Sequence, residues 1–323
     1  MDFTFEIYKS LITELHNRKY TFTSFGDYIS SSDDNPGNKL ILLRHDVDLL
    51  PQNSLQMARI EAELGVRGTY FFRIVPESFD VSVIEKIAKL GHEIGYHYED
   101  VDLVRGDRSK VIGDSAPLTN NHQPLTGLID RAMESFLKNL ETIRKIADIK
   151  TICMHGSPMS PYDNRLLWTK YDYRDYGIIG EPYFDLDFSR VGYYTDTGRR
   201  WDGDRVSVRD KISSSKFQVP SSKQLVSNIE LADNPSNIKN IEPETRNMEP
   251  GTKNNFPRFR KTTEIIAAIE NGSFSEKAMI TIHPQRWHDR AMPWMRELVL
   301  QNIKNLVKRI VVKRNVRRNG EHE

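Results

Sequence analysis

One aliphatic run that ends in two carboxylates constrains the fold of this chain more than any other feature. Residues 40–43 are all leucine or isoleucine, and Asp46 and Asp48 follow closely. A short apolar run followed by a helical pattern is typical of a buried parallel strand in an α/β sheet or barrel. Because side chains alternate along extended chain, both carboxylates should project together at the strand's carboxyl end. Barrels place their catalytic groups at that end.

The two carboxylates should repel one another unless a cation lies between them, and a divalent metal is the leading candidate. The structural alternative is a polar loop in which Asp46 and Asp48 cap the next helix. The rest of the chain is needed to choose between these interpretations.

Composition indicates the class of protein. The chain has 323 residues, of which 38% are hydrophobic and 28% charged, as in soluble globular enzymes. Its net charge of +1 gives no general attraction to nucleic acid, so no nucleic-acid partner is expected. The single cysteine, Cys153, excludes an internal disulfide and a thiolate zinc cluster. With no stretch of signal-peptide type and no run of roughly 20 apolar residues, a cytoplasmic protein is the simplest expectation.

Segments with the period of a strand alternate with segments with the period of a helix. Strands are predicted at residues 40–43, 67–74, 92–98, 151–155, 178–188, 191–195 and 277–282. Helices are predicted at residues 5–16, 51–64, 82–90, 128–147 and 262–270. This alternation favours parallel βα units.

The chain is predicted to form one domain over residues 1–323, with a helix within residues 1–20. Residues 233–257 contain four prolines and six asparagines, which predicts a flexible insertion. A basic amphipathic helix is predicted at residues 293–318. Its apolar side could pack on the barrel, or it could make weak contact with an anionic membrane surface.

Titratable residues recur where the predicted strands end. They are Asp46, Asp48, His97, His155, Asp196 and His283. A lone histidine is more often structural than a ligand, and Asp-Thr-Gly at Asp196 is also a turn sequence. Titratable groups at five strand ends are harder to explain by packing, because these ends form one ring in a barrel.

Four motifs stand in order along the chain. They are Arg-His-Asp-Val-Asp at residues 44–48, Gly-Thr-Tyr-Phe-Phe at 68–72, Gly-His-Glu-Ile-Gly-Tyr-His at 91–97 and Ile-Thr-Ile-His-Pro at 280–284. This order resembles the polysaccharide deacetylases of the NodB-homology type. The resemblance implies a distorted (β/α)7 TIM-like barrel with one divalent metal, usually zinc. It also implies removal of an N-acetyl or other N-acyl group from an amino sugar, nucleotide- or lipid-linked, in surface-polysaccharide biosynthesis.

The resemblance assigns the metal ligands incompletely. Asp48 falls at the metal-binding aspartate, and His97 at the first of two histidines four residues apart. Val101 stands where the second histidine is expected. We infer that His155, in the motif after the fourth strand, replaces the lost ligand. Glu99 is the rival third ligand, because it lies two residues from His97 and could face the same side. Two further alternatives are that His155 orients Asp46 without binding metal, and that the chain binds no metal.

The resemblance also assigns the acid and the base. Asp46 falls at the base that takes a proton from water, and His283 at the acid that donates a proton to the leaving nitrogen. Asp196 would order His283 or hold sugar hydroxyls. Two other activities stay open: hydrolysis of another C–N bond, such as a sugar formamide, and sugar binding without catalysis.

Overall fold

Parallel strands form the centre of the fold. The computed structural model describes residues 1–31, 38–104, 125–156, 163–202 and 256–299. The seven strands are β1 Thr21–Thr23, β2 Leu40–Val47, β3 Thr69–Phe72, β4 Glu93–Tyr98, β5 Ile152–Met154, β6 Gly192–Thr195 and β7 Lys277–Ile282. All pairings described between these strands are parallel, as predicted.

The sheet is curled into a half-barrel with β2 in the middle. Neighbouring strands follow the order β5-β4-β3-β2-β7-β6, and β1 pairs with the first half of β2. The predicted α/β class is confirmed at this level, and the half-barrel is compatible with a TIM-like fold. In the register, Asp46 lies opposite Phe71 of β3, and His97 of β4 lies opposite Cys153 of β5. The carboxyl ends of these strands therefore lie at one edge.

Helices connect the strands. They are α1 Phe5–Asn17, α2 Phe25–Ser30, α3 Pro51–Glu63, α4 Val81–Lys89, α5 Asp100–Val104, α6 Leu125–Arg144, α7 Pro182–Asp185, α8 Thr262–Glu270 and α9 at residues 291–299. Short 3-10 helices lie at Asn164–Thr169, Tyr173–Tyr176 and Pro284–Arg286. The Thr4 side chain caps α1 by accepting from Ile7 N, and Pro51 starts α3 where its missing N–H has no cost. Among the described residues, no helix is long and apolar enough to cross a membrane.

The outward-facing residues of β2 pack under the helices. Ile41 and Leu43 belong to the apolar core beside α1 and α3. His45, on the same side, is fully buried, and its Nε2 lies 2.9 Å from Glu61 Oε1. The hydroxyls of Tyr8 and Tyr70 donate to that same oxygen at 2.6 and 2.8 Å. The buried Glu61 carboxylate is thus held by polar groups on the helix-facing side of the sheet.

The inward-facing residues of β2 lead to the predicted site. Leu42 packs with Phe71, Cys153 and Met279 inside the half-barrel. Arg44 and Asp46 follow on the same side, because side chains alternate along the strand. Opposite Phe71, position 95 must be glycine, since a Cβ there would lie 2.4 Å from the Phe71 ring.

Some predicted elements differ from the structure. The strand predicted at 178–188 is wrong: Gly180 makes one isolated bridge to Thr151, and Pro182 then starts helix α7. The side chain of Glu181 caps that helix by accepting from Tyr183 N, and proline at the first helical position favours the turn. Residues 233–255 of the predicted insertion and residues 300–318 of the predicted last helix lie outside the described residues. The described part of that helix, α9, leaves Met292 exposed.

Candidate metal centre

Side chains from three strand ends converge on one point. Asp48 directly follows β2, His97 lies near the end of β4, and His155 directly follows β5. Asp48 Oδ1 lies 3.5 Å from His97 Nε2 and 3.6 Å from His155 Nε2. The three potential ligand atoms all lie within 4.8 Å of one another, so the group could hold a metal ion. The structure thus brings together the three residues that the sequence suggested.

The hydrogen bonds of His97 direct a lone pair toward the carboxylate of Asp48. Its Nδ1 lies 2.9 Å from the carbonyl oxygen of Cys153, which can only accept, so Nδ1 carries a proton. In the neutral ring, Nε2 then carries a lone pair. His155 Nδ1 lies 2.9 Å from a carboxylate oxygen, Oε2 of Glu99, in an ion-pair contact without the angles of a hydrogen bond, and this neighbouring anion favours a proton on Nδ1. This arrangement of the outer ring nitrogen is the one that metal-binding histidines adopt.

Asp48 Oδ1 is the atom that fits a metal best. It is buried and has no hydrogen-bond partner among the described residues. A buried polar atom without a partner is costly and calls for an explanation. Here an anionic oxygen faces two imidazole lone pairs, so a cation between them would turn a repulsive arrangement into an attractive one.

The spacing of the three atoms also fits zinc. Zinc binds histidine nitrogen and carboxylate oxygen at about 2.0–2.1 Å, which puts the ligand atoms of a tetrahedral site about 3.3–3.4 Å apart. The observed distances from Asp48 Oδ1 are 3.5 and 3.6 Å. The other oxygen, Oδ2, accepts from Gln285 Nε2 at 2.9 Å, so one oxygen alone faces the imidazoles. Three protein ligands leave one tetrahedral position for water or substrate.

A second group of potential ligands consists of Asp46, His97 and Cys153, which also lie within 4.8 Å of one another. Both oxygens of Asp46 are already occupied, because Arg44 Nε donates to Oδ1 at 2.8 Å and Arg44 Nη2 donates to Oδ2 at 2.7 Å. The group around Asp48 therefore fits a metal better.

Asp46 is a buried carboxylate at the edge of the candidate centre. Its Oδ2 lies 3.9 Å from His97 Nε2. Burial alone would raise the pKa of Asp46, but the charge and hydrogen bonds of Arg44 oppose this and contribute most to holding the pKa below its usual value. Asp46 is therefore ionised at neutral pH and can accept a proton.

Asp196 orders His283. His283 Nδ1 donates to Asp196 Oδ1 at 2.6 Å, and the His283 backbone N–H donates to Oδ2 at 3.0 Å. Asp196 accepts two more hydrogen bonds. Arg286 Nη1 donates to its Oδ1 at 2.8 Å, and Trp287 Nε1 donates to its Oδ2 at 2.7 Å. Burial and Arg286 lower the pKa of His283, but Asp196 and Asp48 raise it further, so the net shift is upward.

These contacts bear on the second role considered for Asp196. Both of its oxygens accept hydrogen bonds from protein groups, which leaves little capacity for sugar hydroxyls. Two neighbours of Asp196 that could have helped it to hold a sugar are also engaged elsewhere. Arg199 donates to the carbonyl oxygen of Trp294 at 3.0 Å, and Trp201 donates to Thr262 at 3.0 Å inside the core. The first role, ordering His283, fits the geometry better.

Glu99 and Val101 show why the histidine pattern is interrupted. Val101 is fully buried and belongs to the apolar core. Glu99 is also buried, and burial raises its pKa, but His155 and Arg73 lower it to about 2. The Glu99 carboxylate is thus ionised and engaged by Arg73 and His155 rather than directed at Asp48.

Three residues of the site were not identified from the sequence. Arg44 had no assigned role, although it stands two residues before Asp46, and this spacing could have suggested a pair on one face of the strand. Gln285 and Arg73 gave no signal, because their partners lie 237 and 26 residues away along the chain.

The chain was compared with models of protein families, with curated proteins and with solved structures. None of the three comparisons found a match. The function must therefore be inferred from the site itself and from the motifs.

Proposed function

We propose that this chain is a metal-dependent hydrolase that removes an N-acetyl or other N-acyl group from an amino sugar. The observation that carries the proposal is the partnerless Asp48 Oδ1 facing the Nε2 atoms of His97 and His155. The motifs that resemble the NodB-homology deacetylases support the reaction and a complete (β/α)7 barrel.

Asp48, His97 and His155 would hold the metal, and zinc fits the nitrogen and oxygen ligands. A divalent ion there would supply a Lewis acid that polarises the acyl carbonyl and lowers the pKa of water. The amide needs this help, because its carbonyl is a weak electrophile. The remaining steps fall to the side chains around the three ligands.

Asp46 accepts the proton of the attacking water in this scheme. Its carboxylate is kept ionised by Arg44, and its position beside His97 puts it within reach of the centre. His283 donates a proton to the departing nitrogen, since an amine anion is a poor leaving group. Asp196 holds the His283 ring through Nδ1, which leaves Nε2 for this transfer.

A sugar formamide is the second candidate substrate, because the same residues would hydrolyse it. The third candidate, a sugar-binding protein without catalysis, is less well supported, since Asp46 and His283 are both held in orientations that suit proton transfer. The substrate would be a nucleotide- or lipid-linked sugar, which suits an enzyme acting in the cytoplasm.

Weak contact of the basic C-terminal segment with an anionic membrane is a separate proposal, and co-sedimentation with anionic vesicles tests it.

Metal analysis and an assay of released acid test the function together. We expect about one zinc per chain and release of acetate from N-acetylated amino sugars. Release of formate from N-formyl sugars, without acetate, would move the proposal to the formamide. Sugar binding with neither product would make the chain a binding protein.

A further inference from the structure

Arg73 lies against the backbone of one proposed metal ligand, Asp48, and against the carboxylate of Glu99. It follows β3 directly and is 5% exposed. Its Nε and Nη2 donate to Oε1 of Glu99 at 2.8 and 2.5 Å, and its Nη1 donates to the backbone carbonyl oxygen of Asp48 at 3.0 Å. One guanidinium therefore ties the backbone of Asp48 to the side chain of Glu99.

Glu99 continues this connection to the third proposed ligand. While Oε1 is held by Arg73, the other oxygen, Oε2, lies 2.9 Å from Nδ1 of His155. Glu99 is 2% exposed, so water does not weaken these interactions. The opposite ring nitrogen of His155, Nε2, is the one that faces Asp48.

The backbone around Arg73 is itself fixed. The Arg73 N–H donates to the hydroxyl of Ser78 at 3.2 Å, and that hydroxyl donates to the carbonyl oxygen of Val47. Val47 immediately precedes Asp48 and ends β2. Two independent contacts thus bind the segment after β3 to the end of β2.

We propose that Arg73 and Glu99 are positioning residues that place Asp48 and His155 for the same metal ion, and that Glu99 is not itself a ligand. The proposed ligand His155 follows β5, and Glu99, which follows β4, supports it from the neighbouring strand. Glu99 orients the imidazole of His155 and sets its tautomer. Arg73 fixes the position of Glu99 relative to Asp48 by donating to both residues. This inference rests on the metal centre of the proposed function.

Zinc affinity, measured by competition with a chromophoric chelator, tests the proposal. Glu99→Ala is expected to weaken zinc binding by about 10- to 100-fold, the usual effect of losing a partner of a ligating histidine. Glu99→Gln keeps one oxygen, which can accept from either Arg73 or His155 but not from both, so its zinc affinity should fall between those of the wild type and Glu99→Ala. His155→Ala should lose most, since it removes a ligand. Arg73→Lys should weaken binding too, because one ammonium cannot reach both Glu99 and Asp48.

The matched control is Glu61→Gln. Glu61 is another buried glutamate 2.9 Å from a histidine nitrogen, on the opposite side of β2. Glu61→Gln should lower the melting temperature as Glu99→Gln does, yet leave zinc affinity unchanged. This comparison separates the loss of ligand positioning from a general loss of stability. If a Glu99 variant does not fold, the zinc affinity of Arg73→Lys tests the proposal in its place.

The order of the losses decides the outcome. If Glu99→Ala weakens zinc binding as much as His155→Ala or more, Glu99 is a ligand and the proposal is wrong. Zinc affinity like that of the wild type in both Glu99→Ala and Arg73→Lys would also overturn it. A wild-type chain that binds no divalent metal would instead remove the metal centre, and with it the proposed function.

Discussion

Arg44 and Asp46 form a two-pronged ion pair on the inner face of the sheet. The two nitrogen–oxygen distances are 2.8 and 2.7 Å, and the side chains are 2% and 6% exposed. Paired N–H donors fix the plane of a carboxylate as well as its charge. The proposed base is therefore oriented by a residue of its own strand.

Arg44→Met should impair activity without removing the metal. Asp46 would remain buried with no opposing guanidinium, so its pKa should rise and the acid limb of the pH–rate profile should move to higher pH. Breaking a buried pair also destabilises the fold, by roughly 3–5 kcal/mol. The measurements are kcat/KM against pH, zinc content and chemical denaturation. Arg165→Met is the control, because Arg165 makes a two-pronged but more exposed pair with Asp163 two residues away. An unchanged acid limb in Arg44→Met would contradict this account.

Zinc should stabilise the folded chain through Asp48 and His97. At a free concentration 100 times its dissociation constant, a ligand adds about 2.7 kcal/mol to the free energy of unfolding. Melting curves with and without zinc should therefore differ for the wild type and coincide for Asp48→Ala and His97→Ala. Cys153→Ser is the control, and it should respond to zinc as the wild type does. If Cys153→Ser lost the response while Asp48→Ala kept it, the second ligand group of Asp46, His97 and Cys153 would be the metal site.

Asp46→Asn should separate the base from the ligands. The amide cannot accept the proton, so kcat should fall by about 10²- to 10⁴-fold, the usual contribution of a general base. Zinc content should stay near that of the wild type, because Asp46 is bound by Arg44 and not by the three-ligand set. Elemental analysis and steady-state kinetics check both statements. Full activity in this variant would exclude Asp46 as the base.

Asp196→Asn should move the basic limb of the pH–rate profile. The pKa of His283 is raised in the folded chain, so its protonated form, the proton donor, persists above the ordinary value of about 6.5. The corresponding stability is fully present below that value and is lost as the pH rises through the folded pKa. Removing the Asp196 charge should lower the pKa of His283. As the pH rises, the variant should therefore lose activity at a lower pH than the wild type does. A nuclear magnetic resonance titration of His283 measures the shift directly, and an unmoved pKa would contradict the role of Asp196.

His283→Ala provides an independent test of the acid. The loss of kcat should be smallest for substrates whose departing amine has a low pKa, because such an amine leaves without a proton. Equal losses across a series of leaving groups would assign His283 to binding instead.

The sequence predicted most of the sheet because its strands carry strong local signals. Residues 40–43 and 278–280 are apolar runs, and titratable residues mark where these strands end. Residues 178–188 gave a false strand because their aromatic and aliphatic content resembles one, while Pro182 and the cap from Glu181 favour a helix. Local composition could not reveal that competition.

The candidate site was predictable only in part. Asp48, His97 and His155 could be grouped because each ends a strand, and parallel strands end at one edge. The choice between His155 and Glu99 required the contacts of Arg73, which lies in a different βα unit. Gln285 illustrates the same limit, since its bond to Asp48 joins opposite parts of the chain.

The alternation along β2 has a consequence for how this chain can diverge. Odd-numbered residues such as His45 point toward the buried Glu61 carboxylate. Even-numbered residues such as Asp46 point toward the candidate metal centre. Adding or deleting one residue within Leu40–Val47 would exchange the two sets, placing a carboxylate among the packed aromatic rings and a histidine at the centre. Single substitutions in this strand can therefore be tolerated one at a time. Insertion or deletion of one residue would disrupt the core and the candidate metal centre together.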